Sequence, residues 1–285
     1  MKKIVILSII LLAFVAAERS QAQVIQNRPP RDNFYDKVNT VGIEPRAYVH
    51  VREADVYIKR RTWRMIDFRE KFNQHFYFPI RPVQDRVSFM SMVMTGLKEG
   101  TITAFDPITD DFSKPLTYEE FMAANTNIIR SNVEDLDNPG EFTEQLDTLT
   151  FSNEDVKLLR IKEDWFIDRQ RGVRDIRILG LCPVIQQYDR QTREFRGNQP
   201  LFWLYYEWCR PLFANTEAFN RHNSAARMSY DVVFAWNRWF NSYITKIDNQ
   251  QDRAISEFLS GWQVMAEAER IKLELQNLEE DLWVY

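Results

Sequence analysis

The chain has 285 residues, 45% of them hydrophobic and 14% aromatic, with a net charge of −4, three histidines, two cysteines and eight glycines. A mildly acidic chain without a clustered basic face offers little long-range attraction to nucleic acid or anionic lipid. With so few metal-ligating side chains, and His50, His75 and His222 far apart, the usual zinc sites are excluded, and the length accommodates one large or two modest domains.

Lys2-Lys3 precedes the apolar run Ile4–Ala17, and Ser20-Gln21-Ala22 supplies small residues at the positions a signal peptidase reads, so residues 1–22 are expected to be cleaved as a signal peptide. The run is shorter than the roughly 20 residues a membrane span needs, and no Cys lies near the cleavage site to carry a lipid. Cleavage removes Lys2, Lys3, Glu18 and Arg19 and moves the charge from −4 to −6. The expected mature chain is exported and soluble. Residues 23–50 hold Pro29-Pro30 and no regular period, and read as an extended arm. In isolation it is a disordered leader, whereas in an assembly Phe34, Tyr35 and Val38 would anchor it as a strap across a neighbour.

Residues 51–130 read as a first α+β half. Within it, Asp55–Phe76 predicts a charged helix, because Ile58, Met65, Phe68, Phe72 and Phe76 recur at helical spacing while Trp63 and Ile66 widen the apolar face. Arg86–Lys98 predicts a second helix ended by Gly100. Thr101–Phe112 predicts a hairpin around Asp106-Pro107, and Thr117-x-x-Glu120 a capping box that opens a helix to about Ile129. Residues 131–155 carry eight acidic residues and no Lys or Arg, which predicts an exposed linker between the halves.

Residues 156–250 form the second α+β half. Between Trp165 and Cys209 three β-branched and aromatic runs are separated by the polar turns Arg169–Gly172 and Arg190–Glu194, which predicts a three-stranded antiparallel meander. Its middle strand should pass from an exposed end, where Ile176 and Ile178 alternate with Arg174, Asp175 and Arg177, into a packed one from Ile178 to Val184. Cys182 and Cys209 are either one disulfide or two buried thiols. Tyr205–Phe219 and Met228–Ile247 are apolar and Trp-rich. In the last segment, 251–285, the spacing predicts a helix over Arg253–Leu282, to pack on its own domain or to dock in a partner's groove. The halves also share Phe105-Asp106-x-x-Thr109-x-x-Phe112 and Tyr188-Asp189-x-x-Thr192-x-x-Phe195, through a distant duplication or recurrent turn chemistry.

Catalytic signatures are missing: there is no Gly-x-Ser-x-Gly elbow and no phosphate loop. Glycoside hydrolysis needs only two carboxylates, and Asp164, Asp168 and Asp175 lie near Trp165, but the flanking arginines would depress their pKa values where a general acid needs one raised. Trp203, Tyr205, Tyr206 and Trp208 are candidates for a glycan-binding surface, but Trp203, Tyr205 and Trp208 are what a half-buried sheet and the following helix need for a core, which is the stronger reading.

Three blocks carry a resemblance. They are Trp165-Phe166-Ile167-Asp168 with Val173-Arg174-Asp175-Ile176-Arg177-Ile178-Leu179-Gly180 and Pro183; Trp63-Arg64-Met65-Ile66-Asp67 with Arg69-Glu70-Lys71, Asn73 and Tyr77-Phe78-Pro79; and Ser229-Tyr230-Asp231-Val232-Val233-Phe234 with Arg238, Phe240 and Ser242-Tyr243-Ile244. In number and order they resemble the GldN/PorN family of the Bacteroidetes gliding motility and type IX secretion apparatus. The resemblance implies a periplasmic, non-enzymatic structural subunit without cofactor, forming a homo-oligomeric ring with an outer-membrane lipoprotein of the GldK/PorK type. It also implies contact with the periplasmic part of a GldM/PorM-type motor protein. Because Arg and aromatic side chains dominate interfaces, the interface candidates are Trp63, Arg64, Asp67 and Arg69 in one block and Trp165, Asp168, Arg174 and Arg177 in the other. The rival reading is a periplasmic glycan-binding or peptidoglycan-cleaving protein.

Overall fold

The computed structural model describes residues 42–280, apart from 84–85, 135–141, 150, 190–191, 193 and 224, and gives the backbone alone for 127–134, 142–149 and 279. The expected signal peptide, the anchors Phe34, Tyr35 and Val38, and Leu282 lie outside these residues.

The fold is α+β. In chain order it comprises β1 (Val56–Asp67), α1 (Gln74–Tyr77), α2 (Phe89–Glu99), β2 (Ala104–Phe105), β3 (Pro115–Leu116), α3 (Tyr118–Ala124), β4 (Asn127–Glu134) and β5 (Phe142–Leu149). There follow β6 (Val156–Asp168), β7 (Val173–Tyr188), β8 (Phe195–Pro200), β9 (Trp203–Tyr205), α4 (Tyr206–Asn215), β10 (Glu217–Ala218), β11 (Met228–Ser229), β12 (Tyr243–Ile247) and α5 (Trp262–Glu280). An eight-stranded sheet runs β12-β1-β6-β7-β9-β2-β3, with β8 on the far part of β7. The predicted meander is β6, β7 and β8. β7 is exposed at Val173, packed from Gly180 to Val184 and exposed again at Tyr188.

Strand alternation sends neighbouring residues to opposite faces. Ile66, Leu159 and Leu181 enter the large core with Phe76, Phe89, Phe202, Phe213 and Phe234, while Met65, Leu158 and Cys182 turn to a smaller cluster with Trp63, Phe105 and Trp203. On that second face Phe112 folds back over Gly180, where an added Cβ would sit 2.6 Å from its ring. A third cluster joins Ile271 and Leu275 of α5 to Trp165 and Ile244.

Several expectations are corrected. Asp55–Phe76 is not a helix: residues 56–67 are β1, paired with β6 and β12. Its charges looked like a solvated helical face, but Arg61 and Arg64 answer acids on β6, and the β-branched Val56, Ile58, Thr62 and Ile66 suit a pleated, two-sided packing. The 101–112 hairpin closes later, because the Asp106 amide donates to the Lys114 carbonyl and the return strand is β3. The Thr117/Glu120 capping box is present, but its helix ends at Ala124, and β4 begins at Asn127.

The acidic segment 131–155, expected as a linker, contains strand residues of the β4–β5 hairpin. The two expected halves are not separate, since β1 of the first pairs along β6 of the second in one sheet. The apolar stripe of 228–247 divides among β11, a π-helical turn at Val232–Trp236 and β12. The tail helix is shorter than expected: a 3₁₀ turn at Ile255–Glu257 is followed by Gly261 in the left-handed region, φ 63°, and α5 starts at Trp262. α5 packs on its own sheet.

Cys182 and Cys209 are both free and buried. One lies on each face of the sheet, Cys182 with Trp63 and Cys209 beneath Phe213, so the strands between them preclude a bridge. Burial pushes both thiols up to about 12. Neither should react with Ellman's reagent in the native protein at pH 8, and both should react in urea without reductant; unreactive thiols in urea would mean a bridge.

Candidate functional site

The chain's ionic groups converge where β1 meets β6. The register sets Arg61 against Asp164 and Thr62 against Glu163. Arg61 Nε donates to Asp164 Oδ1 at 2.7 Å, and Lys59 Nζ lies 2.8 Å from Oδ2. Glu163 is fully buried. Its Oε2 accepts from Arg238 Nη2 at 2.6 Å, and its Oε1 accepts from Trp165 Nε1 at 2.7 Å and Thr62 Oγ1 at 3.3 Å, with Arg64 Nη1 at 3.7 Å. Burial pushes the Glu163 carboxyl up, but Arg238 and Arg64, helped by the indole N–H, outweigh it and hold the group below the usual carboxylate range. A bulge between Lys162 and Glu163 re-aims the strand here.

A second buried pair fixes a strap. Arg210 Nε donates to Asp231 Oδ1 at 2.9 Å, and Tyr206 Oη donates to the same oxygen at 3.1 Å. Arg210 and Arg177 then sandwich the Tyr48 ring, 4.1 and 3.8 Å from its centroid, and bond the carbonyls of Arg46 and Val49. Segment 42–50 thus lies on the sheet without strand pairing, and burial, foremost, raises the Tyr48 hydroxyl to about 12.

The eight interface candidates fall mostly inside this frame. Trp63 is buried, and its Nε1 donates to Asp110 Oδ2 at 2.8 Å, pinning the 106–114 loop. Arg64 is buried and donates to Ser242 Oγ at 2.9 Å. Trp165 is buried against α5 with Arg174 above its ring, 5.1 Å from the centroid. Asp168 accepts from the Gln170 amide at 2.9 Å and Arg171 Nε at 2.6 Å; it closes the β6–β7 turn, and the Arg171 bond, first among the causes, lowers its pKa. Asp67 performs the same task after β1, accepting from the Arg69 amide at 2.9 Å. Arg177 is mostly buried under Tyr48 and 3.0 Å from Asp175. Only Arg69 among the two-block acids and bases holds a half-exposed side chain while reaching Gln186 Oε1 at 3.1 Å.

Sequence reasoning missed Glu163 and Arg210, and quoted Asp231 and Arg238 in the third block without giving them a role. The signal was Lys162-Glu163-Asp164, three charges interrupting an otherwise apolar strand.

Aromatic side chains are exposed at several places among the described residues. A pocket of about 470 Å³ is walled by Phe72, Phe78, Phe219 and Trp239 with Lys71 and Arg221 among its lining. Trp262 is 77% exposed beside half-exposed Phe258 and Met265, and Tyr188 and Phe195 pair at the tip of the β7–β8 hairpin, centroids 5.8 Å apart. Among the described residues no group of three or more His, Cys, Asp or Glu is poised to hold a metal, and no helix is long and apolar enough to cross a membrane. Every described carboxyl displaced from its ordinary pKa is displaced downward, the opposite of what a general acid needs.

These features define an α+β protein whose buried charges hold strands together and which exposes aromatic groups at several places on its surface. The family described as gliding motility associated protein GldN matches residues 51–284, and the chain belongs to it. Membership makes the chain a component of the gliding motility and type IX secretion machinery, a structural component rather than a member of a known enzyme family. No curated protein matches the chain.

Two predictions follow from the frame. Because Glu163 has a depressed pKa when folded, its stabilisation is complete above the unfolded value of roughly 4.3 and is lost as pH falls through the folded value. Urea midpoints between pH 7 and 3 should therefore fall less steeply for Glu163→Gln than for the natural chain, and the substitution should cost about 3–5 kcal/mol at pH 7 by leaving Arg238 and Arg64 uncompensated. For Arg177→Ala, limited trypsin digestion should cut after Arg46 or Arg52 about tenfold faster, since one charged hydrogen bond and a cation–π contact are lost; unchanged cleavage would show that the strap is held otherwise.

Proposed function

We propose that the chain is a non-enzymatic periplasmic subunit of the type IX secretion and gliding machinery. It forms a ring with an outer-membrane lipoprotein of the GldK/PorK type, through which it attaches to the outer membrane, and couples that ring to the periplasmic part of a GldM/PorM-type inner-membrane motor protein. The observation that carries this reading is the family match over residues 51–284. The surface supports it: a scaffold between two partners needs open, adhesive faces rather than a catalytic cleft, and exposed aromatic groups of this kind are the usual material of interfaces. Of the eight interface candidates, Arg69 offers a partner the most surface, while Trp63, Arg64, Trp165 and Asp168 act by setting the frame behind it.

Affinity purification of the tagged protein from its native envelope should yield a megadalton particle holding many copies of the chain, a lipoprotein and a single-span motor protein. Arg69→Gln, which removes the charge that Arg69 shares with Asp67 but touches no group of the Glu163 cluster, should reduce recovery of one of these partners at least severalfold. A free monomer with neither partner would overturn the reading.

A further inference from the structure

The aromatic pocket beyond β1 has the features of a receptor for a peptide. Its volume of about 470 Å³ falls within the ~300–1,000 Å³ of ligand-holding pockets. Phe72 and Phe78 remain 48% and 47% exposed, and Phe72 meets Trp239 edge-on, centroids 5.8 Å apart. Lys71 and Arg221 give the lining positive charge, and it contains no carboxylate. One buried group there lacks a partner. His75 Nδ1 lies 3.1 Å from the Phe72 carbonyl and donates to it, which leaves Nε2 as an acceptor without a donor. Burial lowers this histidine to about 4, so Nε2 stays unprotonated at neutral pH. Nε2 is shut from solvent, with the His75 ring stacked on Trp239, centroids 4.7 Å apart, so a ligand donor meets it only by displacing that ring. The fitting ligand is defined by the lining as acidic and aromatic.

The chain itself contains such a segment, Glu280-Asp281-Leu282-Trp283, at the end of α5. It cannot reach the pocket of its own copy. Val264 shares a groove with Trp63 and Met65, whereas Glu274 shares one with Arg60, so α5 advances toward the start of β1. The pocket lies beyond the other end of that strand, after Asp67. Arg60 and Asp67 are ~23 Å apart at strand rise, and six more helical residues carry Glu280 ~9 Å further away. Trp283 extends at most ~11 Å from Glu280.

We propose that the Phe72/Trp239 pocket receives the Glu280–Trp283 segment of a second copy of the chain, with Trp283 against the exposed ring of Phe72 and the two acids toward Lys71 and Arg221. Pocket and segment occupy different parts of the molecule, so the contact is head-to-tail and propagates from copy to copy, closing into a ring if the rotation per step allows. That last consequence rests on the ring reading above; the pairwise contact does not.

The test is fluorescence anisotropy of a labelled peptide of residues 277–285 against the full chain carrying Trp283→Ala, whose own tail cannot compete. Saturable binding is expected, weakened tenfold or more by Lys71→Glu with Arg221→Glu in the receiver, by Trp283→Ala in the peptide and by 0.5 M salt. Lys71 and Arg221 are exposed, so these reversals spare the fold. No saturable binding, or binding indifferent to these changes, overturns the proposal. Sedimentation of the natural chain should show association that Trp283→Ala removes. A natural chain that stays monomeric at concentrations where the peptide saturates the Trp283→Ala chain would also overturn the second-copy contact. Envelope particles that keep many copies despite Trp283→Ala would refute this contact while leaving the ring reading standing.

Discussion

The Glu163 carboxylate has no contact with solvent, and groups from three separate parts of the chain are arranged around it. Taking one such charge out of water costs several kcal/mol unless good geometry and further hydrogen bonds offset it. Here the offset comes from Arg238, Arg64, the Trp165 indole and the Thr62 hydroxyl. Thr62 and Arg64 belong to β1, Glu163 and Trp165 to β6, and Arg238 to the turn before β12, while Trp165 also packs beneath α5. A shift of strand register by one residue would move Glu163 to the other face and strand its partners. The buried charge therefore specifies the same register as the apolar alternation of β1 and β6, and adds to the cost of slipping.

The rest of the polar surface follows from that economy. Asp67 and Asp168 fold the ends of β1 and β6, Asp110 ties a loop to Trp63, and Arg177 and Arg210 clamp the Tyr48 strap. Most arginines that look available for partners in the sequence are engaged within the chain. The exposed adhesive groups are instead aromatic and aliphatic: Phe72 and Phe78 at the pocket, Trp262 and Met265 on α5, and the Tyr188–Phe195 pair. A subunit that meets several neighbours can present such faces because its own strands are held by buried charge as well as apolar packing.

Legibility in the sequence varied with the range of the interactions. The β6–β7–β8 meander was visible because its turns and β-branched runs are local signals, and so was the Thr117/Glu120 box, which spans one helical turn. Strand β1 was misread. Its apolar residues and those of the following segment happen to fall at helical spacing, and only the acids of β6, about a hundred residues away, reveal that Arg61 and Arg64 face strands. In the shared Phe/Tyr-Asp-x-x-Thr pattern each aspartate bonds a nearby backbone amide, Asp106 Oδ1 accepting from Ile108 and Asp189 Oδ1 from Thr192, two residues on in one case and three in the other. Of the interface candidates, residue type was legible but role was not: nothing in Trp63 or Trp165 says which face of a sheet it will occupy.

By itself the sequence determined the α+β class, the meander, the helix caps and membership of the GldN family, all of which depend on residues near one another or on the order of blocks along the chain. Only the tertiary structure decided that the two expected halves share one sheet, that Cys182 and Cys209 lie on opposite faces of it, and that the charged blocks face inward. The physical reason is that strand pairing and charge burial are settled between segments distant in sequence, where the energy of a residue depends on which partner arrives and not on its own neighbours.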